Sequence, residues 1–260
     1  MDEVIDPAMT VKVTGRYNRQ CRNNGLKLDL FYNNRYIYYF IQQTKRRDFH
    51  TVVRAKNRIG PHNNDVLSVI IGSLLGDCYG SRRNIEGTRF VFKQSIIHKK
   101  YLFWLYNFFF SRGYCSNLEP RLYNRKIKND KGAKIYNGYV FNTYTFRSFD
   151  WIYEMFYKNG RKIINSNIKL YLTPLALAIW ISDDGCWVKS GVRIACNSYY
   201  LEEVKLLVYI LNENFNLICT IQKLSNKDKY SIYIKKESIP LLRNIVSPYL
   251  HCTMSYKIGL

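Results

Sequence analysis

From Asn64 onward, runs of apolar residues alternate between a helical and a strand period, and the alternation predicts the elements. The run VLSVIIGSLLGD (66–77) is apolar on nearly every side, which predicts a buried helix capped by Asn64 or Asp65. In TRFVFKQS (88–95), Phe90 and Phe92 alternate with Arg89 and Lys93, the period of a strand. A helix is expected over 97–114, stopped at Gly113. In 117–125, Leu118, Pro120 and Leu122 alternate with Arg121, Tyr123 and Arg125. A strand follows at 139–146, then a helix over 148–160 capped by Ser148.

The order then recurs. Thr173 and Pro174 open a second apolar helix, LALAIWISDD, that Gly185 closes. A strand is predicted at 191–198, where Val192, Ile194 and Cys196 alternate with Arg193 and Asn197. A helix over 200–215 places Glu203 toward solvent, a hairpin joins 218–225 to 229–236, and helical turns close 238–250. Asp77 to Asp184, Gly87 to Gly191 and Ser95 to Ser198 keep offsets of 107, 104 and 103 residues. Such repetition predicts an α+β fold of two pseudo-twofold-related αββαββα halves, residues 61–165 and 166–260, with a central helix pair and antiparallel sheets. Residues 1–60 break the pattern. Segments such as RYNRQCRNN mark them as a basic N-terminal extension, closing at RIGPHNND.

Charge changes the picture. The 260 residues carry 40 Lys and Arg against 19 Asp and Glu, a formal charge of +21. An excess spread along the whole chain predicts an extended polyanionic partner rather than a small metabolite or a membrane surface. Seven Cys lack CxxC or zinc spacing and are expected to be reduced, buried thiols. No apolar run is long enough to span a bilayer, and the acidic MDEVIDPAMT start resembles no targeting signal. The abundance of Tyr, Asn, Ile and Lys suits an AT-rich, organelle-encoded gene.

Two acids stand where elementary physics disfavours them. A helix C-terminus is partially negative and prefers cations, yet Asp77 and Asp183-Asp184 end the two apolar helices. Gly72 and Gly76 in the first helix, and Ala178 and Ser182 in the second, are small residues four apart that would let the helices approach closely. Side by side about a pseudo-twofold axis, the helices bring Asp77 and Asp184 together. Oxygen ligands of this kind favour Mg²⁺, with water and phosphate completing its shell.

At these residues the chain resembles the LAGLIDADG homing endonucleases. The windows are IIGSLLGDC (70–78) and LAIWISDDG (177–185), with similar flanks in GTRFVF, RGY, YLTPLALAIW and MSYKIGL. Leu75 and Cys78 depart from the motif in the first window. The likeness is strongest to single-chain, two-motif members encoded in mitochondrial group I introns. It implies Asp77 and Asp184 as catalytic metal ligands, assisted by the backbone carbonyls of Gly76 and Asp183, and Lys162 and Lys257 as basic residues beside the metal. It also implies Mg²⁺ as cofactor with Mn²⁺ able to substitute, a monomer, and a place in the mitochondrial matrix.

Strand periodicity supplies a reading face. Arg89 and Lys93, then Arg121, Tyr123 and Arg125, then Arg193 and Asn197, and Gln222 fall opposite apolar partners, forming a basic saddle suited to the major groove of double-stranded DNA. The segment 123–138 is expected to be a flexible loop that orders along a backbone. The function these features predict is a site-specific double-strand DNA endonuclease. The alternative is a maturase that binds group I intron RNA and assists splicing, through the same basic surface.

Overall fold

The computed structural model describes residues 53–82, 87–129, 132–224 and 229–260, with backbone alone over 127–129 and 132–134. All belong to the second of two units into which the chain divides, His50–Leu260. Most of the basic extension, residues 1–52, lies outside the described residues. Its last part packs on the first half, where Arg58 donates to the Thr145 carbonyl at 3.0 Å, and just beyond it the His62 ring meets Tyr114 Oη at 2.8 Å and Ser148 Oγ at 2.7 Å.

The first half runs α1 (Asn64–Leu75), β1 (Tyr79–Ser81), β2 (Arg89–Ser95), α2 (Lys99–Ser111), β3 (Arg121–Asn129), β4 (Gly132–Asn142) and α3 (Asp150–Phe156). A short hairpin, β5 (Tyr157–Lys158) and β6 (Arg161–Lys162), and the single turn α4 (Ile168–Tyr171) lead to the second half. That half runs α5 (Pro174–Asp184), β7 (Gly185–Val188), β8 (Gly191–Cys196), α6 (Leu201–Phe215), β9 (Cys219–Leu224), β10 (Lys229–Ile234) and α7 (Ile239–Val246). The sheets share one antiparallel order, β1-β2-β4-β3 and β7-β8-β10-β9, which is the repeat expected from the offsets. Inward residues of β2, β4, β8 and β10, such as Phe90, Phe92, Val192 and Ile194, join one core with both central helices.

Helices α1 and α5 run parallel and touch along their length. Near their starts, Thr173 Oγ1 donates to Ser68 Oγ at 2.8 Å. Further on, a Cβ at Gly72 would lie 2.3 Å from the Ala176 carbonyl oxygen, and one at Gly76 would lie 2.4 Å from Asp183 Cβ. The seam on α5 is therefore Ala176, Ile179 and Asp183 rather than the expected Ala178 and Ser182. Ser182 is buried but turns its hydroxyl onto its own helix, donating to the Ala178 carbonyl at 2.8 Å. The α5 face is set by a 3.6-residue period, which places 176, 179 and 183 on one stripe.

Other expectations are corrected. The predicted loop 123–138 is the long ribbon β3–β4, because register from Arg121–Val140 to Asn129–Gly132 pairs its backbone polar groups. Leu118, which precedes the strand, and Leu122, near its start, are 75% and 53% exposed rather than turned to a core. The helix predicted over 148–160 stops at Phe156. Asn159 and Gly160 both take positive φ (51° and 75°), the geometry of a tight Asn-Gly hairpin turn. Glu203 faces an ion pair rather than open solvent. Among the described cysteines, Cys78, Cys115 and Cys196 are buried as expected, but Cys186 and Cys252 are exposed.

The seam generates a direct test. Gly72→Leu forces a side chain into the Ala176 backbone and is expected to destabilise by about 3 kcal/mol or more. Glu202→Leu, on the exposed face of α6, is expected to change stability by less than about 0.5 kcal/mol. Calorimetric melting of both variants measures the difference; equal melting temperatures would remove the seam from the account.

Candidate metal centre and nucleic-acid interface

The two helix ends arrive at one place. Gly76 stops α1 and passes the chain to Asp77; Asp184 is the last residue of α5 before β7. Because Gly76 has no side chain, Asp183 can lie across the seam and turn its carboxylate toward the first half. Its Oδ1 accepts from Gln94 Nε2 at 2.9 Å, and its Oδ2 accepts from the Asp77 backbone N–H at 3.4 Å. The same Gln94 amide donates to Asp77 Oδ2 at 2.9 Å. One amide thus ties Asp77 to Asp183.

Gln94 and the Asp183 side chain are the functional groups that sequence reasoning missed. Each carried a signal. Gln94 occupies the third inward position of β2 after Phe90 and Phe92, where a polar residue buried to 6% exposure needs a polar partner. Asp183 stands in register with Gly76 in the aligned motif windows, a large residue opposite an absent one.

The two lysines answer the helix ends. Lys162, delivered by the β5–β6 hairpin, donates to the carbonyls of Leu74 (2.7 Å), Gly76 (3.3 Å) and Cys78 (2.9 Å). Lys257, in the short helical turn Cys252–Ile258, donates to the Asp183 carbonyl at 2.8 Å. Each ammonium sits against the negative end of one central helix, the charge arrangement that helix dipoles favour. Both lysines have lowered pKa values, because burial outweighs the raising influence of the surrounding acids.

The carboxylates remain undercompensated. Burial, then Asp77, pushes Asp184 up to about 7, against the pull of Lys162 and Lys257. Asp77 is raised by desolvation against the hydrogen bond from Gln94 and both lysines, and half-buried Asp183 is raised by desolvation and further by its two acidic neighbours. The carboxylates of Asp77 and Asp184, with their excess negative charge, suit a hard divalent cation, while the carbonyls of Gly76 and Asp183, expected to assist, already accept from Lys162 and Lys257 and have one lone pair each to spare. Among the described residues no three Asp, Glu, His or Cys side chains make a complete cage, so such an ion would draw further oxygens from water or phosphate.

The sheets carry the predicted basic face. Register aligns Lys93 with Val140 and Val140 with Arg121, so Arg89, Lys93, Arg121, Tyr123 and Arg125 share one side of the first sheet. Lys93 Nζ stands 5.1 Å from the Tyr79 ring centre and 5.6 Å from that of Tyr123. In the second sheet, pairing of Arg193 with Tyr233 and of Ser231 with both Ala195 and Gln222 puts Arg193 and Gln222 on one side. Exposed Asn197 immediately follows β8. Arg89 and Arg193, equivalent in the repeat, each bury an Nε that lacks a hydrogen-bond acceptor.

Residues 67–242 match the model of the LAGLIDADG DNA endonuclease family. The chain is 41% identical over 212 residues to the cytochrome b mRNA maturase bI2 of Saccharomyces cerevisiae, covering 78% of this chain and 49% of that protein. It therefore spans about half the length of that curated relative. It is 48% identical over 157 residues to the intron-encoded endonuclease ai4 of Dictyostelium discoideum, covering 60% of this chain and 99% of that one. Among solved structures, the homing endonuclease I-WcaI bound to its DNA recognition sequence superposes with a TM-score of 0.64 and 30% identity, covering 75% of this chain and 86% of that one.

The raised carboxylates predict a stability that falls with pH when metal is absent. A carboxyl whose folded pKa exceeds its unfolded value contributes stability at low pH and loses it as pH rises through the folded value. For Asp184 that window runs from 3.8 to about 7. In chelator, melting temperature is expected to drop between pH 5 and pH 8 by an amount corresponding to on the order of 3 kcal/mol from Asp184. Asp184→Asn is expected to flatten the profile. A pH profile unchanged by Asp184→Asn would contradict the charge balance described.

Proposed function

The chain belongs to the LAGLIDADG DNA endonuclease family, and from that premise we propose that it is a site-specific endonuclease hydrolysing both strands of a long DNA duplex. The observation that carries the reading is the meeting of Asp77 and Asp184 at the ends of two parallel helices beneath two basic sheets. A DNA duplex has a local twofold axis relating its strands. A protein with a matching pseudo-twofold presents one helix end and one lysine to each strand. Asp77 and Asp184 would hold the divalent metal, Mg²⁺ in our reading with Mn²⁺ as substitute, and the carbonyls of Gly76 and Asp183 would assist through the lone pair that each keeps beside its lysine. When bound, the ion supplies charge stabilisation to the attacking and leaving oxygens of the phosphodiester.

The protein's own groups do the rest. Gln94 fixes the orientation of Asp77, so that its other carboxylate oxygen, Oδ1, is left for a ligand. Lys162 and Lys257 hold the helix ends and lend positive potential beside the transferring phosphate. Arg89, Lys93, Arg121, Arg125 and Arg193 neutralise phosphates or reach guanine edges, while Asn197 and Gln222 have the geometry to pair with adenine. Tyr123 supports Lys93 through its ring. We place the protein in the mitochondrial matrix as a monomer, with residues 61–165 and 166–260 as its two halves and 1–60 as an extension. A second reading is supported by the 41% identity to a protein named as an mRNA maturase: the same basic surface would bind group I intron RNA and assist its splicing.

Cleavage of a randomised duplex library with Mg²⁺ tests the primary reading. Asp77→Asn and Asp184→Asn are each expected to reduce cleavage by at least about a thousandfold, while DNA affinity stays within about threefold because the basic saddle is intact. Cleavage by either variant at the unmodified rate would rule out the metal assignment. Affinity is also expected to fall by about a thousandfold or more between 50 and 200 mM salt, as released counterions require. A nearly flat salt dependence in a filter-binding titration would remove nucleic acid as the partner.

A further inference from the structure

Lys162 and Lys257 are held in place by different parts of the protein. The guanidinium of Arg243 in α7 donates to the carbonyls of Ile258 (2.9 Å) and Gly259 (2.8 Å), fastening the turn that bears Lys257, whose cap His251 packs on the Trp104 ring of α2 at 5.7 Å. Lys162 is fastened across the halves. Its neighbour Arg161 makes a two-pronged ion pair with Glu203 of α6, Nη1 to Oε2 at 2.9 Å and Nη2 to Oε1 at 2.8 Å. Glu203 Oε1 also accepts from the Ile164 backbone N–H at 3.2 Å, and Oε2 from that of Tyr200 at 2.7 Å. A single carboxylate, 12% exposed, therefore grips the chain on both sides of Lys162. The Tyr200 ring lies under the Arg161 guanidinium at 4.0 Å and completes the clamp.

We propose that Glu203 is a positioning residue for Lys162: through Arg161 and Ile164 it holds the ammonium against the carbonyls of Leu74, Gly76 and Cys78 at the end of α1, and so governs one of the two strand cuts. Paired, geometrically matched hydrogen bonds of this type fix orientation as well as distance. The Lys162 hairpin has only two residues in each strand, too few to hold a charged side chain under a helix end unaided. The consequence for cutting rests on the endonuclease reading; the hold on Lys162 does not.

Two measurements on the full chain separate these. Reductive methylation, followed by peptide mass spectrometry, reports amine accessibility without DNA. Lys162 is expected to react about tenfold faster in Glu203→Ala and Arg161→Ala than in the unmodified protein, with Lys257 unchanged, because only the local clamp opens. Glu203→Gln, which keeps acceptor capacity, is expected to fall between. Cleavage is then followed on a duplex selected by the unmodified protein, its strands carrying different labels. The same variants are expected to slow one strand by about tenfold and leave the other within about twofold, so that nicked duplex accumulates.

If Glu203 only caps α6, melting temperature falls while Lys162 reactivity and the strand ratio stay unchanged, and the proposal is overturned. Equal slowing of both strands overturns the strand assignment. Should Glu203→Ala fail to fold, Arg161→Ala, at a half-exposed side chain outside α6, decides by the same readouts. If the unmodified protein cuts no duplex while Lys162 responds as expected, the endonuclease reading fails and the positioning role stands.

Discussion

Everything in this protein depends on how closely two helices can approach at their C-terminal ends. At the crossing of Gly76 and Asp183, one helix offers no side chain and the other offers a carboxylate. The approach brings together two negative helix ends and the acids Asp77, Asp183 and Asp184. Desolvation makes that concentration of charge costly, which is why the carboxyls are raised and why buried Lys257 and half-buried Lys162 stand beside them. Separation of the helices by one methyl group would relieve the charge and also dismantle the site.

The halves share a topology without being chemically identical. Gln94 links Asp77 to Asp183, whereas Asn197, its counterpart at the repeat offset, is exposed. Lys162 serves three carbonyls; Lys257 serves one. Asp183 reaches into the first half, but its counterpart Gly76 has nothing to return. The two helix ends therefore have different supporting contacts, and under the endonuclease proposal that difference would let the two strands of an asymmetric target be treated differently. The long β3–β4 ribbon adds to this asymmetry, because β9 and β10 are much shorter.

Much of the architecture was legible in the chain because burial imposes a period. Helix α5 spans Pro174–Asp184 as its cap and stop residues indicate, and β2, β8 and α6 fall within a residue or two of their predicted limits. The failures came where one local signal masked another. Apolar residues before Lys158-Asn159-Gly160-Arg161 extended the predicted helix through what is a hairpin turn. The Lys- and Asn-rich character of 123–138 suggested a loop, although its backbone pairs along a ladder. Composition reports solvent exposure, and a solvent-exposed ribbon is as polar as a loop.

By itself, the sequence determined the repeat, the two buried helices, the acids at their ends and the basic strand faces, since each follows from local periodicity or from charge. Only the tertiary structure decided which face of α5 meets Gly72 and Gly76, that Gln94 joins Asp77 to Asp183, and that Glu203 grips the chain on both sides of Lys162. Those pairings join residues many positions apart, such as Gln94 with Asp183 and Leu74 with Lys162. A one-dimensional pattern records that a polar residue is buried or a small residue is present. Its partner is chosen by helix rotation and strand register, which are settled when the two halves close on one another.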